Sequence, residues 1–351
     1  MSTAATSTAR TRRALVLDRP SPGAAATLVL REVAEKQPAA GQVVVSLRAA
    51  ALNRRDVWIR MGKYAGIRLP AVLGSDGAGV VTAVGSGVSD ALRGREVIIN
   101  PAMGWGPSEQ HADEGFHILG MPSEGTFADE VCVAAEQLAD KPRHLSWAEA
   151  AALPLAGLTA YRALCVRGRL RPGETVLIPG IGSGVSTMAL IVAKHFGARV
   201  IVTSGSDDKC QKALSLGADF AVNHRAPDWD RQVHAWCKGA LPSLVVDGAG
   251  GETWAKCISL VAPAGRIVTY GATAGLATLD LRRLFWRHID VLGTTMGSER
   301  DFAEMVALFC AGSLRPLIDQ VLPISQAAAA FDRMEHGQHM GKIVLSLHES
   351  V

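Results

Sequence analysis

The chain predicts an α/β protein in which a doubly wound parallel sheet is inserted in a β-rich body. Three observations carry that expectation. Residues 171–292 alternate short apolar strand runs with helix-patterned stretches at the spacing of βαβ units. Residues 14–140 hold short β-branched runs punctuated by Gly, Pro and Asp, as in an antiparallel body with many turns. A last strand-like run, Lys342–Leu347, follows the alternating region and is expected to return to the first body.

The parallel region is built around Thr175–Val202. Thr175–Pro179 (TVLIP) reads as a buried strand, and Gly180-Ile181-Gly182-Ser183-Gly184-Val185-Ser186 as a tight glycine-rich turn. Thr187–Phe196 has helical apolar spacing, Gly197 closes it, and Arg199–Val202 opens the next strand. In that context the glycines let the backbone approach a diphosphate, and the helix N-terminus offers unpaired N–H groups to it. Gly180, Gly182, Ser183, Gly184 and Val185 are therefore candidate dinucleotide contacts.

The remaining alternation follows in order. Asp207–Leu216, Pro227–Lys238, Glu252–Val261 and Leu281–Arg287 read as helices. Ala221–Asn223, Ser243–Asp247, Arg266–Tyr270 and Asp290–Leu292 read as strands. Gly248 and Gly271 fall just after strands, on the edge where ligands of such sheets sit. Ahead of this region, Ser146 with Glu149 forms a capping-box pattern, Pro154 interrupts, and Leu158–Arg167 resumes as a helix. Beyond it, Glu299–Ala311 and Ser325–His336 are helix-patterned. In the β-rich part the expected strands are Thr27–Glu32, Gln42–Ala50, Gly79–Val84, Glu96–Ile99 and Ala128–Cys132. Pro101–Gly125 lacks periodicity and is expected to be a packed or functional lobe.

The domain expectation is a flexible tail over 1–13, a first body over 14–152, a dinucleotide domain over 153–296 and the rest of the first body over 297–351. The chain of 351 residues is 48% hydrophobic and 20% charged, which allows a sizeable core. A net charge of +3 gives no argument for nucleic acid or an anionic membrane, and no apolar run is long enough to span one. Six scattered cysteines without a Cys-x-x-Cys pair, and no secretory leader, fit reduced thiols in a cytoplasmic protein.

Several motifs together resemble the medium-chain dehydrogenase/reductases. They are Leu52-Asn53-Arg54-Arg55-Asp56, Leu73-Gly74-Ser75-Asp76-Gly77-Ala78-Gly79-Val80, Ala83-Val84-Gly85 and Leu153–Tyr161, with the glycine turn and His339-Met340-Gly341-Lys342-Ile343-Val344-Leu345. The resemblance implies a GroES-like catalytic domain carrying an inserted six-stranded dinucleotide domain. In zinc alcohol dehydrogenases of that superfamily a Cys, a His-Glu pair and a second Cys hold the catalytic metal. The matching positions here are Asn53, Ser75-Asp76 and Leu155, which cannot make a three-ligand zinc site. The structural zinc lobe of that branch has four cysteines; Pro101–Gly125 has none, although His111, Asp113, Glu114 and His117 lie in it. The chain is therefore closer to the zinc-free quinone oxidoreductase branch, which has Asn at the position of Asn53, and no metal is expected.

The cofactor expectation is NADPH ahead of NADH. The acid that accepts from an NAD ribose is replaced by Ser204, with Gly205 and Ser206 after it. By resemblance Ser204 and Lys209 hold a 2′-phosphate, His224 takes the place of a stacking aromatic, and Lys342 also faces the cofactor. Asp207 and Asp208 are expected as the cap and first turn of the following helix. Ser186 departs from the glycine usual in this branch. Without a metal, a pre-polarised acceptor such as a quinone or an enone suits hydride transfer better than an unactivated alcohol. Asn53 is the candidate for binding beside the reacting group, Thr159 for the nicotinamide neighbour, and Tyr64 for a donor or substrate wall. Asp56 is expected on the helix surface or in an ion pair. The alternatives are a zinc-free alcohol dehydrogenase, an enoyl-thioester reductase, or a dinucleotide-binding protein without turnover. A homodimer is expected through the edge strand Asp290–Leu292, with Trp286 nearby.

Overall fold

The computed structural model describes residues 10–21, 28–312 and 314–348. The β-rich part contains β1 (Thr11–Leu17), β2 (Leu28–Ala34), β3 (Gln42–Ala51), α1 (Arg54–Arg60), β4 (Ala71–Val72), β5 (Asp76–Val84) and β6 (Glu96–Ile99). It continues through β7 (Ala102–Met103), β8 (His117–Ile118), β9 (Glu130–Ala134) and β10 (Leu138–Asp140). Helices α2 (Trp147–Ala152) and α3 (Pro154–Tyr161) lead into the parallel region. That region runs β11 (Thr175–Ile178), α4 (Gly184–His195), β12 (Arg199–Ser204), α5 (Asp207–Ser215), β13 (Phe220–Asn223) and α6 (Trp229–Cys237). It ends with β14 (Leu244–Asp247), α7 (Thr253–Leu260), β15 (Arg266–Thr269), α8 (Leu281–Trp286) and β16 (Asp290–Gly293). The chain closes with α9 (Glu299–Gly312), β17 (Ile318–Pro323), α10 (Ala327–Glu335) and β18 (Lys342–Ser346).

The parallel sheet has the order β13-β12-β11-β14-β15-β16, with every neighbouring pair parallel. Its two middle strands, β11 and β14, are buried along their whole length. They are apolar throughout because helices cover both faces. Side chains of α3, α4 and α9 build one core layer with Val176, Ile178 and Val246, while α6 and α7 pack on Leu177, Val245 and Ile267 from the other side.

In the β-rich body, β3 is the middle strand. It pairs antiparallel with β5 on one side, and with β9 and then β18 on the other. The registers bring Asp76 opposite Ala51 and Val344 opposite Ala51. The start of β5, the start of β18 and the residue pair after β3 therefore meet at one corner. This register is what assembles the site.

Several boundaries differ from expectation. Thr11–Arg13 belong to β1, paired with β2, so the strand begins inside the segment read as tail; residues 1–9 lie outside the described residues. The strand expected from Thr27 is β2; Thr27 itself is outside the described residues. Pro154 starts α3 at its first turn, where a missing N–H costs nothing, and the helix continues as a π-helical turn over Arg162–Arg167. Helix α4 starts at Gly184, three residues before the apolar pattern, because Ser183 caps it by accepting from the Ser186 N–H. Helix α1 and strand β17 were not expected; both are short and lack a clear apolar period.

The lobe over 101–125 is a small hairpin of β7 and β8 around a buried Trp105. Phe116 stacks edge-on against Trp105 at 5.3 Å, and the Arg162 guanidinium covers it at 4.9 Å. Arg162, from the π-helical turn after α3, also pairs with Asp301 of α9 and donates to the carbonyls of Glu109 and Gln110, each at 2.9 Å. Ser298 donates to Glu109 at 2.7 Å. The lobe is thereby clasped to the helices of the parallel domain. His111, Asp113 and Glu114 are exposed in it, and among the described residues no cluster of three His, Cys, Asp or Glu side chains can hold a metal.

Candidate active site

A cavity of about 610 Å³ lies between the β-rich body and the C-terminal ends of the parallel strands. Asn53, Tyr64, Thr159, Gly180, Gly182, Ser183, Gly184, Val185, Gly248, Gly271 and Lys342 all line it. Residues singled out on both sides of the sequence thus converge on one space.

At its base is a buried polar network. Lys342 Nζ donates to Asp76 Oδ2 and to Asn53 Oδ1, both at 2.7 Å. Asn53 Nδ2 donates to the same Asp76 oxygen at 2.9 Å, and the Leu155 N–H donates to Asp76 Oδ1 at 2.8 Å. Asp76 is fully buried and Lys342 nearly so. Such a pair holds only because each charge is compensated by the other and by further hydrogen bonds. Both ends of the Asn53 amide are engaged, so the side chain borders the cavity as part of this network and not as a free arm.

Asp56 is fully buried at the third position of α1, which corrects the expectation of a surface or ion-pair role. One carboxylate oxygen accepts from the Asn53 N–H at 2.8 Å, and the other has no partner among the described residues. Burial pushes its pKa up to about 6, against the lowering pull of Arg55, the Asn53 hydrogen bond and Lys342.

Arg55 ties the lobe to the site. Its Nη1 donates to Ser75 Oγ at 2.7 Å and to the Leu119 carbonyl at 2.9 Å. The guanidinium lies 5.0 Å from the Tyr64 ring centre, which sets Tyr64 as a wall of the cavity. Ile118 of the lobe lines the same space. Thr159 donates to the Leu155 carbonyl at 2.8 Å, one turn back in α3, and stands beside Met296.

In the glycine turn, Gly182 has φ of 134°, a conformation closed to ordinary L residues. The Ser186 hydroxyl accepts from the Gly182 N–H at 3.2 Å and lies 2.9 Å from Ser183 Oγ. It fills the place of the missing glycine with hydrogen bonds, not a clash. Asp247 shapes the loop opposite by accepting from the Ala249 and Gly250 N–H groups at 3.1 and 2.8 Å. A side chain at Gly248 would strike Tyr270, whose ring lies against it and borders the cavity.

A second hollow, at the end of β12, is lined by Ser204, Gly205, Ser206, Asp208, Lys209, Lys212 and Arg225. Ser206 caps α5, and Ser204 Oγ accepts from the Ser206 N–H at 3.2 Å. Asp207 is turned toward Asn223, accepting from its amide at 2.8 Å. Lys209 lies beside Gly182 and donates to the Gly337 carbonyl at 2.7 Å, so it stands between the two hollows. His224 lies beside Gly205, with Arg225 next to it. Its Nδ1 is 3.0 Å from the Thr203 hydroxyl, and Arg225 lines the hollow.

Arg54, Tyr270, Met296 and His339 also border the cavity and were not singled out from sequence. The first and last stand in quoted motifs, where position beside Asn53 and Lys342 was the available signal.

The comparisons agree with this architecture. Residues 39–143 match the family described as alcohol dehydrogenase GroES-like domain, and residues 184–311 that described as zinc-binding dehydrogenase. A zinc-type alcohol dehydrogenase-like protein of Leptosphaeria maculans is 32% identical over 91% of this chain and 94% of its own. A subunit of the phenolphthiocerol/phthiocerol polyketide synthase of Mycobacterium tuberculosis is 33% identical over 97% of this chain, which spans 15% of that protein. The solved structure of an NAD-dependent alcohol dehydrogenase is 39% identical, with a TM-score of 0.90 over 96% of this chain and all of its own. A GroES-like body carrying a six-stranded parallel dinucleotide-type sheet, with these relatives, places the chain in the medium-chain dehydrogenase/reductase superfamily of oxidoreductases.

Proposed function

We propose that this protein reduces a pre-polarised acceptor, a quinone or an α,β-unsaturated carbonyl, with NADPH as hydride source and no metal at the reacting centre. The observation that carries the reading is the Lys342–Asp76–Asn53 network. At the positions where the superfamily's zinc enzymes hold their metal, this chain offers an amide, a hydroxyl, a lysine-bound carboxylate and an aliphatic side chain. That donor set does not fit a tetrahedral zinc centre.

The chain's own groups supply the rest. The turn at Gly180–Val185 and the α4 N-terminus suit a diphosphate. The hollow at Ser204, Ser206, Lys212 and Arg225 offers hydroxyl and cationic donors to a 2′-phosphate. When bound, the reduced nicotinamide supplies the hydride. Thr159 and Met296 flank its place, Tyr64 and Ile118 wall the acceptor, and the Lys342–Asp76 pair fixes the Asn53 amide at the cavity base.

A second reading, metal-free alcohol dehydrogenation with NAD, draws support from the 39% identical structure of that name and from Asp208, which faces the outer hollow. We also propose a homodimer. Strand β16 is an edge of the parallel sheet, and Leu281, Phe285 and Trp286 of α8, the helix before it, are more than half exposed. The deciding assay follows NADPH and NADH oxidation by chelator-treated protein with 9,10-phenanthrenequinone, a short enone, an enoyl thioester and an aldehyde. Chelator-resistant turnover of quinone or enone with NADPH supports the proposal. Aldehyde turnover restored by zinc overturns it, and binding without turnover points to a dinucleotide-binding protein.

A further inference from the structure

His339 stands between α10 and β18, where the chain passes the glycine turn; the Gly341 N–H donates to the Gly182 carbonyl at 2.9 Å. The residue lines the cavity, yet it is only 7% exposed. Nδ1 is buried with no hydrogen-bond partner among the described residues. A buried N–H without an acceptor costs more than a buried lone pair, so the favoured tautomer carries its proton on Nε2. That nitrogen also has no partner among the described residues and remains a donor for whatever enters the cavity.

The charges around the ring come from four elements: Arg54 of α1, Lys209 of α5, Asp319 of β17 and Arg333 of α10. Asp319 is already occupied, accepting from Arg333 Nε at 2.6 Å and from the Met340 N–H at 2.9 Å. Lys209 donates to the Gly337 carbonyl at 2.7 Å and Arg54 to the Glu335 carbonyl at 3.5 Å, and both border the same cavity. Lys209 thus stands beside the turn whose N–H groups suit an anion, His339 and Arg54 line the same cavity, and the one carboxylate is held by Arg333.

We propose that His339 is a proton-linked ligand of the dinucleotide diphosphate, donating to a phosphate oxygen and taking up a proton as that anion binds. The inference rests on the cofactor reading above. The proton comes from solvent, and the imidazolium pairs with the anion; no bond in the ligand is made or broken. Burial first, then Lys209 and Arg54, lower the pKa of free His339 to about 4, so the ring is neutral near pH 6. An added diphosphate beside it reverses the balance of charge and raises that value.

The test is calorimetric titration near pH 6 in two buffers of different ionisation enthalpy, using NADPH, ADP-ribose and adenosine 5′-monophosphate. Because a terminal phosphate itself titrates at about pH 6, the uptake counted is that of wild type minus that of His339→Gln. Wild-type protein is expected to take up a fraction of a proton, at most about one, with the two diphosphates and none with the monophosphate. Affinity for the diphosphates should rise as pH falls from 7 to 5, by at most about tenfold per unit. His339→Gln and His339→Asn, checked for wild-type-like thermal unfolding, should bind more weakly and lose the uptake. Binding without proton uptake in wild type, or equal uptake in a folded variant, overturns the role of His339 while the cofactor reading stands. Uptake with the monophosphate overturns the diphosphate assignment. Failure of every nucleotide to bind removes the cofactor reading itself.

Discussion

Lys342 Nζ and Asp76 Oδ2 lie 2.7 Å apart in the buried floor of the cavity, with Asn53 bridging them. Removing one partner leaves the other charge buried and uncompensated, at a cost of about 3–5 kcal/mol. Lys342→Met should therefore lower the denaturant midpoint markedly, and Asp76→Asn in the same chain should recover part of the loss. Equal midpoints for wild type and Lys342→Met would falsify the pairing.

Asn53 binds both members of that pair and borders the reacting space. Asn53→Ala is expected to lower kcat/KM by at least about tenfold with every accepted substrate, the scale of a lost transition-state interaction of about 1.4 kcal/mol. Steady-state kinetics on folded variant decides this; wild-type turnover would remove Asn53 from the active site.

Asp56 gives stability a pH signature. Its folded pKa is raised from 3.8 to about 6, so between those values the folded chain keeps a proton that the unfolded chain has released. Its contribution to stability is greatest below pH 4 and is lost as pH rises through 6. Asp56→Asn should flatten this component of the stability profile between pH 4 and 6. Chemical denaturation at closely spaced pH values would show it, and parallel wild-type and variant profiles would contradict it.

The outer hollow should set cofactor preference. Ser204→Asp places a carboxylate where a 2′-phosphate is expected, and should raise KM for NADPH by about tenfold or more while changing that for NADH less. Arg225→Ala should act in the same direction. An unchanged NADPH-to-NADH ratio in both variants would locate discrimination elsewhere.

The β16 edge predicts assembly through the parallel sheet. Sedimentation should find a dimer for wild type, and Val291→Lys combined with Trp286→Asp should yield monomer with little loss of thermal stability. A wild-type monomer at micromolar concentration would refute the proposed edge.

Local features were legible in the sequence, and long-range ones were not. The glycine turn and the alternation of β11 to β16 rest on short-range pattern, which the chain displays residue by residue. The Lys342–Asp76 contact joins residues 266 positions apart through the register of β3 with its two neighbours, and no local period encodes that. Asp56 looked like a surface acid because α1 is short and rich in charge; it is buried beside Asn53 and Arg55, near Asp76 and Lys342 from distant strands. Arg54 and His339 had the composition of solvated residues, and only the meeting of α1, α5, α10 and β18 turns them toward one space.

The clasp around Trp105 also constrains the order of assembly. Residues 101–125 leave the ribosome early, but Glu109 is held by Ser298, 189 positions later, and Arg162 is fixed by Asp301. Four cysteines and a metal would hold such a lobe by links within itself; this one takes part of its hold from residues made near the end of synthesis. Until α9 arrives, Arg162 lacks its carboxylate partner above Trp105, while Arg55 already holds the Leu119 and Met121 carbonyls beside Ile118. The full clasp around the lobe thus closes only after the chain has passed residue 301.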